Sequence, residues 1–437
     1  MILTPVATDS PAGLQQIDRL LNRFQLADIA CQQAVQEILA EVRNRGDEAV
    51  VAYTRKFDAP QFDKTQLRVS SREIEQAYQE VDRDFRETLA LAVDRIRSFH
   101  EREKEESWTM NRDDGVVTGR LVRPVDLAGL YVPGGKGGTT PLVSSVLMNG
   151  IPAGIAGVEK RVLVTPPSEH GSVNPALLVA AAEIGITEIY KAGSAWAIGA
   201  LAFGTETMPR VDVIVGPGNQ YVTEAKRQVA GMVRIDMIAG PSEVLIVADH
   251  TARPAYIAAD MLAQAEHDPQ ALAMVVTTSH ATAAQIVQEL ELQLQQLSRQ
   301  DIARKSLVDR GVILVTEELA EAVELANRIA AEHLELMIED AHEWLDRIRH
   351  AGAIFLGDYS PEAVGDYLAG PNHVLPTMGT ARFSSALGVE TFVKKSSIIS
   401  YPRDAFIADA PHIQSLANLE GLTAHAQSVA IRLQKEQ

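Results

Sequence analysis

The chain has 437 residues, of which 46% are hydrophobic and 22% are charged, and its formal net charge is −18. This composition is typical of a globular protein, and the length predicts about two to three domains. Because nucleic acid and anionic membrane surfaces would repel such a charge on average, the sequence argues against both as partners.

The one cysteine, Cys31, excludes an intrachain disulfide. It lies in an apolar-periodic stretch, where we expect a small core residue. The first residues, MILTPVATDSPAG, do not resemble a secretion signal, and no run of about 18 apolar residues occurs. We therefore expect a cytoplasmic protein without a membrane segment.

The first hundred residues have the apolar period of helices. Ala34, Ile38 and Val42 recur at helical spacing, and residues 72–104 carry one apolar stripe between many charges. Helices with one apolar face are predicted for this part of the chain.

From Val125 the pattern changes to short apolar runs that alternate with helical stretches. Strands are indicated by VDLAGLYV, RVLVT, TEIYK and VDVIV, and helices by PALLVAAAEI and SAWAIGALAF. After Gly240 a second series has the strand-like runs EVLIVAD, ALAMVVTT, GVILV, LELMI and AGAIFLG, with helical stretches at 252–267, 282–298 and 317–331. This alternation predicts an α/β protein with two tandem units, each built on a parallel sheet that is covered on both faces. The stretch after about Gly379 is less regular and ends in a helical segment from Gly421.

Two glycine-rich loops follow predicted strands. The run PGGKGGTTP at 133–141 is a near miss for a phosphate-binding P-loop, because its glycine-to-lysine spacing is one residue too long and no Ser or Thr follows Lys136. Gly216-Pro217-Gly218-Asn219 opens a predicted helix but has Tyr221 where a dinucleotide fingerprint has its third glycine. Tight turns and a nucleotide site at the carboxyl ends of parallel strands both remain open.

Two pairs of residues could supply a metal site and acid-base chemistry. Gln264 and His267 share one face of a predicted helix, and an amide oxygen and an imidazole nitrogen can both ligate a divalent metal. Glu332 and His333 lie at a helix-to-strand junction, and the ordinary pKa of histidine suits proton transfer near neutrality. Taken alone, however, each pair is more commonly a solvated or capping pair than a functional one.

Further polar residues lie in loops and at helix starts. Asp366 and His373 belong to the loop-like segment GDYLAGPNH, and Glu420 and His425 begin the last helical segment. Caps and turns explain each of them singly. A folded metal or acid-base site is nevertheless assembled from such scattered residues.

Taken together, these segments resemble the histidinol dehydrogenase family over nearly the whole chain. The most specific stretches are GLYVPGG at 129, VDVIVGPGNQYVTEAKR at 211, IDMIAGPSEVLIVAD at 235, ADMLAQAEHDP at 259, AAEHLEL at 330, GDYLAGPNHVLPT at 365 and LEGLTAHAQSV at 419. Several separate motifs in the same order make a chance similarity untenable.

The resemblance implies a homodimer with two Rossmann-like α/β domains, whose small terminal segments pack on the partner. Residues 1–26 would form an N-terminal arm and 380–437 a dimerisation segment. Residues 27–130 and 241–379 would form the first α/β domain, which holds the metal and the acid-base residues. Residues 131–240 would form the second, NAD-binding domain.

The resemblance also implies roles for single residues. The zinc ligands would be Gln264, His267, Asp366 and His425, which would also contact the substrate. Glu332 and His333 would be the acid-base residues, and His333 would contact the substrate as well. Ser242 and Glu420 would bind substrate, with His373 close by. Tyr131 and Asn219 would contact NAD.

One position departs from the family pattern. Where many members have glutamine in a Gly-Gly-Ala-Gln stretch, this chain has Trp196 in Gly193-Ser194-Ala195-Trp196. That glutamine is a cofactor contact in the family, so we expect Trp196 to contact NAD through its flat face or its one N–H donor.

The implied reaction is the oxidation of L-histidinol to L-histidine through L-histidinaldehyde, with reduction of two NAD molecules. A related NAD-dependent dehydrogenase that acts on another amino or sulfo alcohol is the alternative. A zinc hydrolase would have no need of the nucleotide loops, and a non-catalytic metal-binding module would have no reason to keep both Glu332 and His333.

Overall fold

The computed structural model describes residues 2–24, 28–134 and 141–434. Most of the predicted PGGKGGTTP loop, residues 135–140, and the predicted boundary at 26/27 lie outside the described residues. The strands in the described ranges are β1 (Val6–Ala7), β2 (Trp108–Asn111), β3 (Val117–Pro124), β4 (Leu127–Tyr131), β5 (Lys160–Thr165), β6 (Glu188–Lys191), β7 (Val213–Val215), β8 (Arg234–Ile235), β9 (Glu243–Ala248), β10 (Leu272–Thr277), β11 (Val312–Val315), β12 (His333–Met337), β13 (Ala353–Leu356) and β14 (Val393–Ser400).

The helices in the same ranges are α1 (Pro11–Leu21), α2 (Ile29–Arg45), α3 (Asp47–Phe57), α4 (Ser71–Glu80), α5 (Arg83–His100), α6 (Val143–Ala156), α7 (Pro175–Glu183), α8 (Ser194–Phe203), α9 (Gln220–Val229), α10 (Pro254–Ala265), α11 (His280–Leu294), α12 (Gln300–Arg310), α13 (Leu319–Ile329), α14 (Glu362–Tyr367), α15 (Arg403–Leu419) and α16 (Thr423–Arg432). None of them combines the length and apolarity that would be needed to cross a membrane.

The chain divides into two compact units. The main unit comprises residues 1–103 and 125–392, and the tail unit comprises residues 104–124 and 393–437. Both parallel sheets belong to the main unit, which confirms the predicted α/β class.

The first parallel sheet of the main unit, sheet A, has the strand order β1-β11-β10-β9-β12-β13. Its inner strands β9, β10, β11 and β12 are buried along their whole length, as expected for continuous apolar runs between two layers of helices. Helices α10, α11 and α12 cover one face, and α1 and α13 cover the other. Helix α12 was not predicted from its highly charged sequence.

The second parallel sheet, sheet B, has the order β6-β5-β4-β7-β8. The chain runs from β4 outward to β6 and then returns to the other side of β4 with β7. This reversal is the switch point of a Rossmann-like sheet, where ligands bind beyond the carboxyl ends of the strands. The loops after β4 and β7 are the two glycine-rich loops noted in the sequence.

Residues 28–103 pack on sheet B, whereas we expected residues 27–130 to join residues 241–379. Helices α2 and α3 share a core with α8 and α9, and α4 and α5 share one with α6 and α7. Their apolar stripes had predicted a buried face, but a stripe does not specify which sheet covers it. Cys31 lies buried in this core, as predicted.

The tail unit contains an antiparallel sheet of order β14-β3-β2 and the paired helices α15 and α16. Strand β14 pairs with β3 over eight residue pairs, from Val393–Pro124 to Ser400–Val117. Residues 104–124 therefore belong with the C-terminal segment and not with an α/β domain. Several large apolar side chains of this unit are exposed: Trp108, Met110, Ile399, Leu416 and Leu419.

Asp58, which follows α3, predicts a pH dependence of stability. One carboxylate oxygen is buried without a hydrogen-bond partner among the described residues, and burial raises the pKa of Asp58 from 3.8 to about 7. Because the folded state binds this proton more tightly than the unfolded state, stability falls as the pH rises from about 4 to about 7.

The neutral variant Asp58→Asn should therefore be more stable than the unmodified chain at about pH 8 and unchanged at about pH 4. We expect a gain of about 2 kcal/mol, half of what the full shift corresponds to, since the side chain is partly exposed. Thermal melts at both pH values measure this, with Asp9→Asn in an exposed turn as the control. An equal effect of Asp58→Asn at both pH values would contradict the prediction.

Candidate active site

Glu332 and His333 lie where α13 turns into β12, as the sequence predicted. Helix α13 ends at Ile329 and is capped by Ala330, whose backbone is left-handed with φ of 51°, and the chain then enters β12 at His333. Strand β12 runs between β9 and β13, so both side chains stand at the amino-terminal edge of sheet A. Glu332 and His333 are 5% and 4% exposed.

Both side chains are held by the backbone of Glu243, the first residue of β9. The Glu243 N–H donates to Glu332 Oε2 at 2.8 Å, and His333 Nδ1 lies 2.9 Å from the Glu243 carbonyl oxygen. A carbonyl can only accept, so Nδ1 carries the proton and Nε2 keeps its lone pair. His333 Nε2 is buried and has no partner among the described residues, so it is free to act as a base.

Burial shifts both groups toward their neutral forms. It raises the pKa of Glu332 well above its ordinary value, and the hydrogen bond from the Glu243 N–H opposes this rise. It lowers the pKa of His333, against the attraction of Asp366. At neutral pH the imidazole is therefore unprotonated and can accept a proton.

A second cluster contains donors for a metal ion. His267, Glu362 and Asp366 each offer one atom, and these atoms lie within 4.8 Å of one another. His267 follows α10, and Glu362 and Asp366 lie one turn apart on α14. The Asp366 carboxylate interacts electrostatically with both His267 and His333, so the metal-type cluster adjoins the base.

Gln264 is fully buried near the C-terminal end of α10 and faces Glu362. In the amide orientation that satisfies both groups, its nitrogen donates to Glu362 Oε2 and Oε1 at 2.8 and 3.1 Å. The amide oxygen is then turned away from the carboxylate and can serve as a ligand. The structure thus brings Gln264, His267 and Asp366 together, and it adds Glu362.

Ser242 and His373 lie at the edges of this region. Ser242 directly precedes β9 and is half-buried, and its carbonyl accepts the Leu272 N–H at 3.0 Å. His373 Nε2 is buried without a partner among the described residues, and burial lowers the pKa of this imidazole to about 4. His373 also interacts electrostatically with His333 and His267.

The residues expected to contact NAD lie beyond the carboxyl ends of sheet B. Tyr131 ends β4, and its hydroxyl accepts the Ser194 N–H at 3.1 Å. Gly216 has φ of 114° and lies so close to the Tyr131 carbonyl that a Cβ atom would come within 2.1 Å of it. Asn219 caps α9 with its side-chain oxygen, which accepts the N–H groups of Tyr221 and Val222. Its amide N–H₂ remains available to a ligand.

Trp196 lies in a different setting from the one expected. It is 4% exposed, its indole N–H donates to Thr54 Oγ1 at 3.2 Å, and its ring stacks on Tyr53 and Phe57. The N–H donor of Trp196 and much of its flat face thus already contact other residues of the core between α3 and α8. The glutamine amide of other members has no counterpart at this position.

The last two expected site residues, Glu420 and His425, belong to the tail unit. Both are exposed, Glu420 directly after α15 and His425 in the first turn of α16. They are candidate ligands that the surface of this unit offers.

The family model of histidinol dehydrogenase matches residues 21–433. The chain belongs to the histidinol dehydrogenase family. It is 67% identical to a histidinol dehydrogenase of Desulfotalea psychrophila over 433 residues, which cover 99% of this chain and 100% of the relative. The corresponding figures for a relative from Nitratidesulfovibrio vulgaris are 56% identity over 415 residues and 95% of both chains.

The fold is similar as well. The solved structure of histidinol dehydrogenase from Elizabethkingia anophelis matches with a TM-score of 0.92 at 40% identity, over 99% of this chain and 98% of that one. Members of the histidinol dehydrogenase family are oxidoreductases of histidine biosynthesis, and the chain is accordingly an enzyme of this kind.

Sequence reasoning missed Glu362 and Glu243. Glu362 precedes Asp366 by four residues, a spacing that places both on one helical face and that could have revealed it. Glu243 contributes its backbone, and no side-chain pattern shows that.

The cluster on α10 and α14 predicts a divalent metal site. Replacing His267 by alanine removes an imidazole donor without disturbing the core, because the residue is exposed at a helix end. We expect the variant to stay folded but to lose most of its zinc affinity, by about 10²-fold or more. Competition with a chromophoric chelator measures the affinity, and His280→Ala on α11 is the control. Unchanged zinc binding by the folded His267→Ala variant would contradict the assignment.

Proposed function

We propose that the chain oxidises L-histidinol to L-histidine through L-histidinaldehyde, with zinc as metal and two molecules of NAD⁺ as oxidant. The observation that carries this proposal is the free, buried Nε2 of His333, which stands beside Glu332 and next to the donors of a metal site. Production of NADH with histidinol as the only substrate tests it.

The donor set fits zinc. An imidazole nitrogen, a carboxylate oxygen and an amide oxygen suit a borderline ion such as Zn²⁺. We propose Gln264, His267 and Asp366 of one chain as ligands, completed by His425. When bound, the zinc would supply a Lewis acid that orients the substrate through its imidazole and amino nitrogens, and NAD⁺ would supply the hydride acceptor.

In the first half-reaction His333 is the base. Its Nε2 takes the proton of the substrate alcohol as the carbon gives up its hydride. The bond from Nδ1 to the Glu243 carbonyl stabilises the imidazolium that results, because the carbonyl dipole faces the ring. The lowered pKa of His333 keeps it ready for this step at neutral pH.

In the second half-reaction Glu332 activates water. In its ionised form, which the hydrogen bond from the Glu243 N–H favours, the carboxylate accepts a proton as the water oxygen attacks the aldehyde carbon; the raised pKa makes this form a stronger base than an exposed carboxylate. His333, once it has released its first proton to solvent, accepts the proton of the resulting hydrate, and the second hydride would pass to the second NAD⁺. The N–H of Glu243 holds Glu332 in place during this exchange.

The remaining contacts of substrate and cofactor are proposed from the same resemblance. Ser242 and Glu420 would bind the substrate. Tyr131 and Asn219 would bind NAD⁺ beyond β4 and β7, where sheet B has its switch point. Trp196 would contact NAD⁺ without its N–H, which donates to Thr54. The α/β unit that contains residues 131–240 would be the NAD-binding domain, and residues 241–379 would carry the metal and acid-base groups.

We also propose that the enzyme is a homodimer whose tail units complete the partner's sites. The exposed large apolar side chains of the tail unit support this, since contact with a partner would remove them from water. The proposal gives Glu420 and His425 to the site of the partner subunit. We place the enzyme in the cytoplasm, in keeping with its free cysteine.

The division of labour between the two bases predicts a selective defect in Glu332→Gln. The amide has the size of the carboxylate but cannot accept a proton from water. Aldehyde oxidation should fall by about 10²- to 10⁴-fold in turnover, and alcohol oxidation should fall far less. Separate assays with histidinol and histidinal measure this, with His333→Gln as the variant that should lose both. Equal losses of both halves in Glu332→Gln would refute the assignment.

The shared site predicts complementation between two inactive variants. His333→Ala and His425→Ala are unfolded together and refolded as a mixture. In the mixed dimer one site receives both intact residues and the other receives neither. Because half of the dimers are mixed, about a quarter of the original activity should return. If His425 served its own chain, a mixture with heterodimers verified by mass spectrometry would stay inactive.

A further inference from the structure

A buried ion pair joins the N-terminal arm to the first residue of β9. Arg23, just beyond α1, donates from Nε to Glu243 Oε1 at 2.6 Å and from Nη2 to Glu243 Oε2 at 2.8 Å. The two side chains are 6% and 2% exposed. This two-pronged geometry fixes the carboxylate plane, which a single contact would leave free to rotate.

Each partner is tied to further backbone. The Arg23 guanidinium also donates to the carbonyls of Leu20 at 2.7 Å and Ile329 at 2.8 Å. The Met378 N–H donates to Glu243 Oε1 at 3.1 Å. The pair therefore connects the ends of α1 and α13, the loop at Met378 and the start of β9.

Glu243 connects this ion pair to both bases. The side chain of Glu243 is held by Arg23, and its backbone N–H and C=O hold Glu332 and His333. Ile329, which also accepts from Arg23, lies three residues before Glu332 on the same chain segment. Arg23 thus fixes the residue whose N–H and C=O orient the two bases. It also fixes the end of α13, from which the chain continues to Glu332 and His333.

Stability alone gives no reason to bury this pair. Removing two charges from water costs several kcal/mol per ion in general, and apolar residues of similar size often fill such places as well or better. An apolar pair could not hold the peptide groups of Glu243 at a set angle. The three further hydrogen bonds of the pair, which involve Leu20, Ile329 and Met378, help to hold those peptide groups in their orientation.

We propose that Arg23 and Glu243 are positioning residues for the acid-base pair. Through the backbone of Glu243 they fix the Nδ1–H tautomer of His333 and the direction in which Glu332 faces. The proposal rests on the function proposed above for these two bases. It assigns a role in the reaction to Arg23 of the N-terminal arm, exerted through Glu243.

The first variant is Arg23→Lys, which keeps the charge but cannot form the two-pronged bond. The second, Arg23→Gln/Glu243→Gln, removes both charges and leaves none buried alone. We expect the turnover number with histidinol to fall by about 10- to 100-fold in each, because displacements of about 1 Å are enough for such losses. The Michaelis constant for histidinol should stay within about twofold.

A spectroscopic readout separates positioning from folding. In protein labelled with ¹⁵N-histidine, His333 should show one protonated Nδ1 and one unprotonated Nε2 in the unmodified chain. In both variants the two nitrogen shifts should move toward the average of the two tautomers. The His333→Gln spectrum assigns the signals.

Asn327→Leu is the matched control for lost stability. Asn327 is a buried residue of α13 that bonds the backbone of Arg347 and Arg349, with no bond to Glu243. Its loss should lower the melting temperature but leave the His333 shifts and the turnover number near their original values. If Arg23→Lys behaves like this control, the pair is only structural and the proposal is overturned. If the unmodified chain fails to oxidise histidinol, the proposed function fails, while the tautomer shift still reports on the pair.

Discussion

The site depends on the parallel pairing of β9 with β12. In this register Val244 lies opposite His333, so the peptide groups of the preceding residue, Glu243, reach the side chains of Glu332 and His333. A shift by one residue would move His333 to the other face of the sheet. The buried apolar side chains of both strands prevent such a shift, because every one of them would change sides as well.

The candidate site residues lie at opposite edges of the two parallel sheets. In sheet B the expected NAD contacts follow the carboxyl ends of β4 and β7, as open α/β sheets generally arrange their ligands. In sheet A the bases stand at the amino-terminal ends of β9 and β12, and α10 brings Gln264 and His267 back to that edge by running antiparallel to the strands. A main unit with two such sheets can provide one edge for a metal-type site and another edge for a nucleotide site, which the proposed reaction requires.

Much of this arrangement is readable in the sequence, and the failures have physical reasons. The buried strands were predicted from continuous apolar runs such as EVLIVA. Such runs occur because both faces of these strands are covered. Sheet β14-β3-β2 was not predicted, because its strands are mostly exposed and pair across distant parts of the chain. Amphipathic stripes in α2 and α5 predicted buried faces without naming the partner sheet. The ligand-type residues were found by resemblance, since spacing alone cannot show that separate loops converge.

The stack of Tyr53, Trp196 and Phe57 provides an optical probe inside the main unit. Of the three tryptophans, Trp108 is half exposed to solvent, whereas Trp196 is buried, stacked on Tyr53 and Phe57 and bonded to Thr54. We therefore expect its emission to lie to the blue of that of Trp108. Since Trp196 belongs to α8 and the other two rings belong to α3, the intensity of that emission should respond to changes in the packing of α3 against α8.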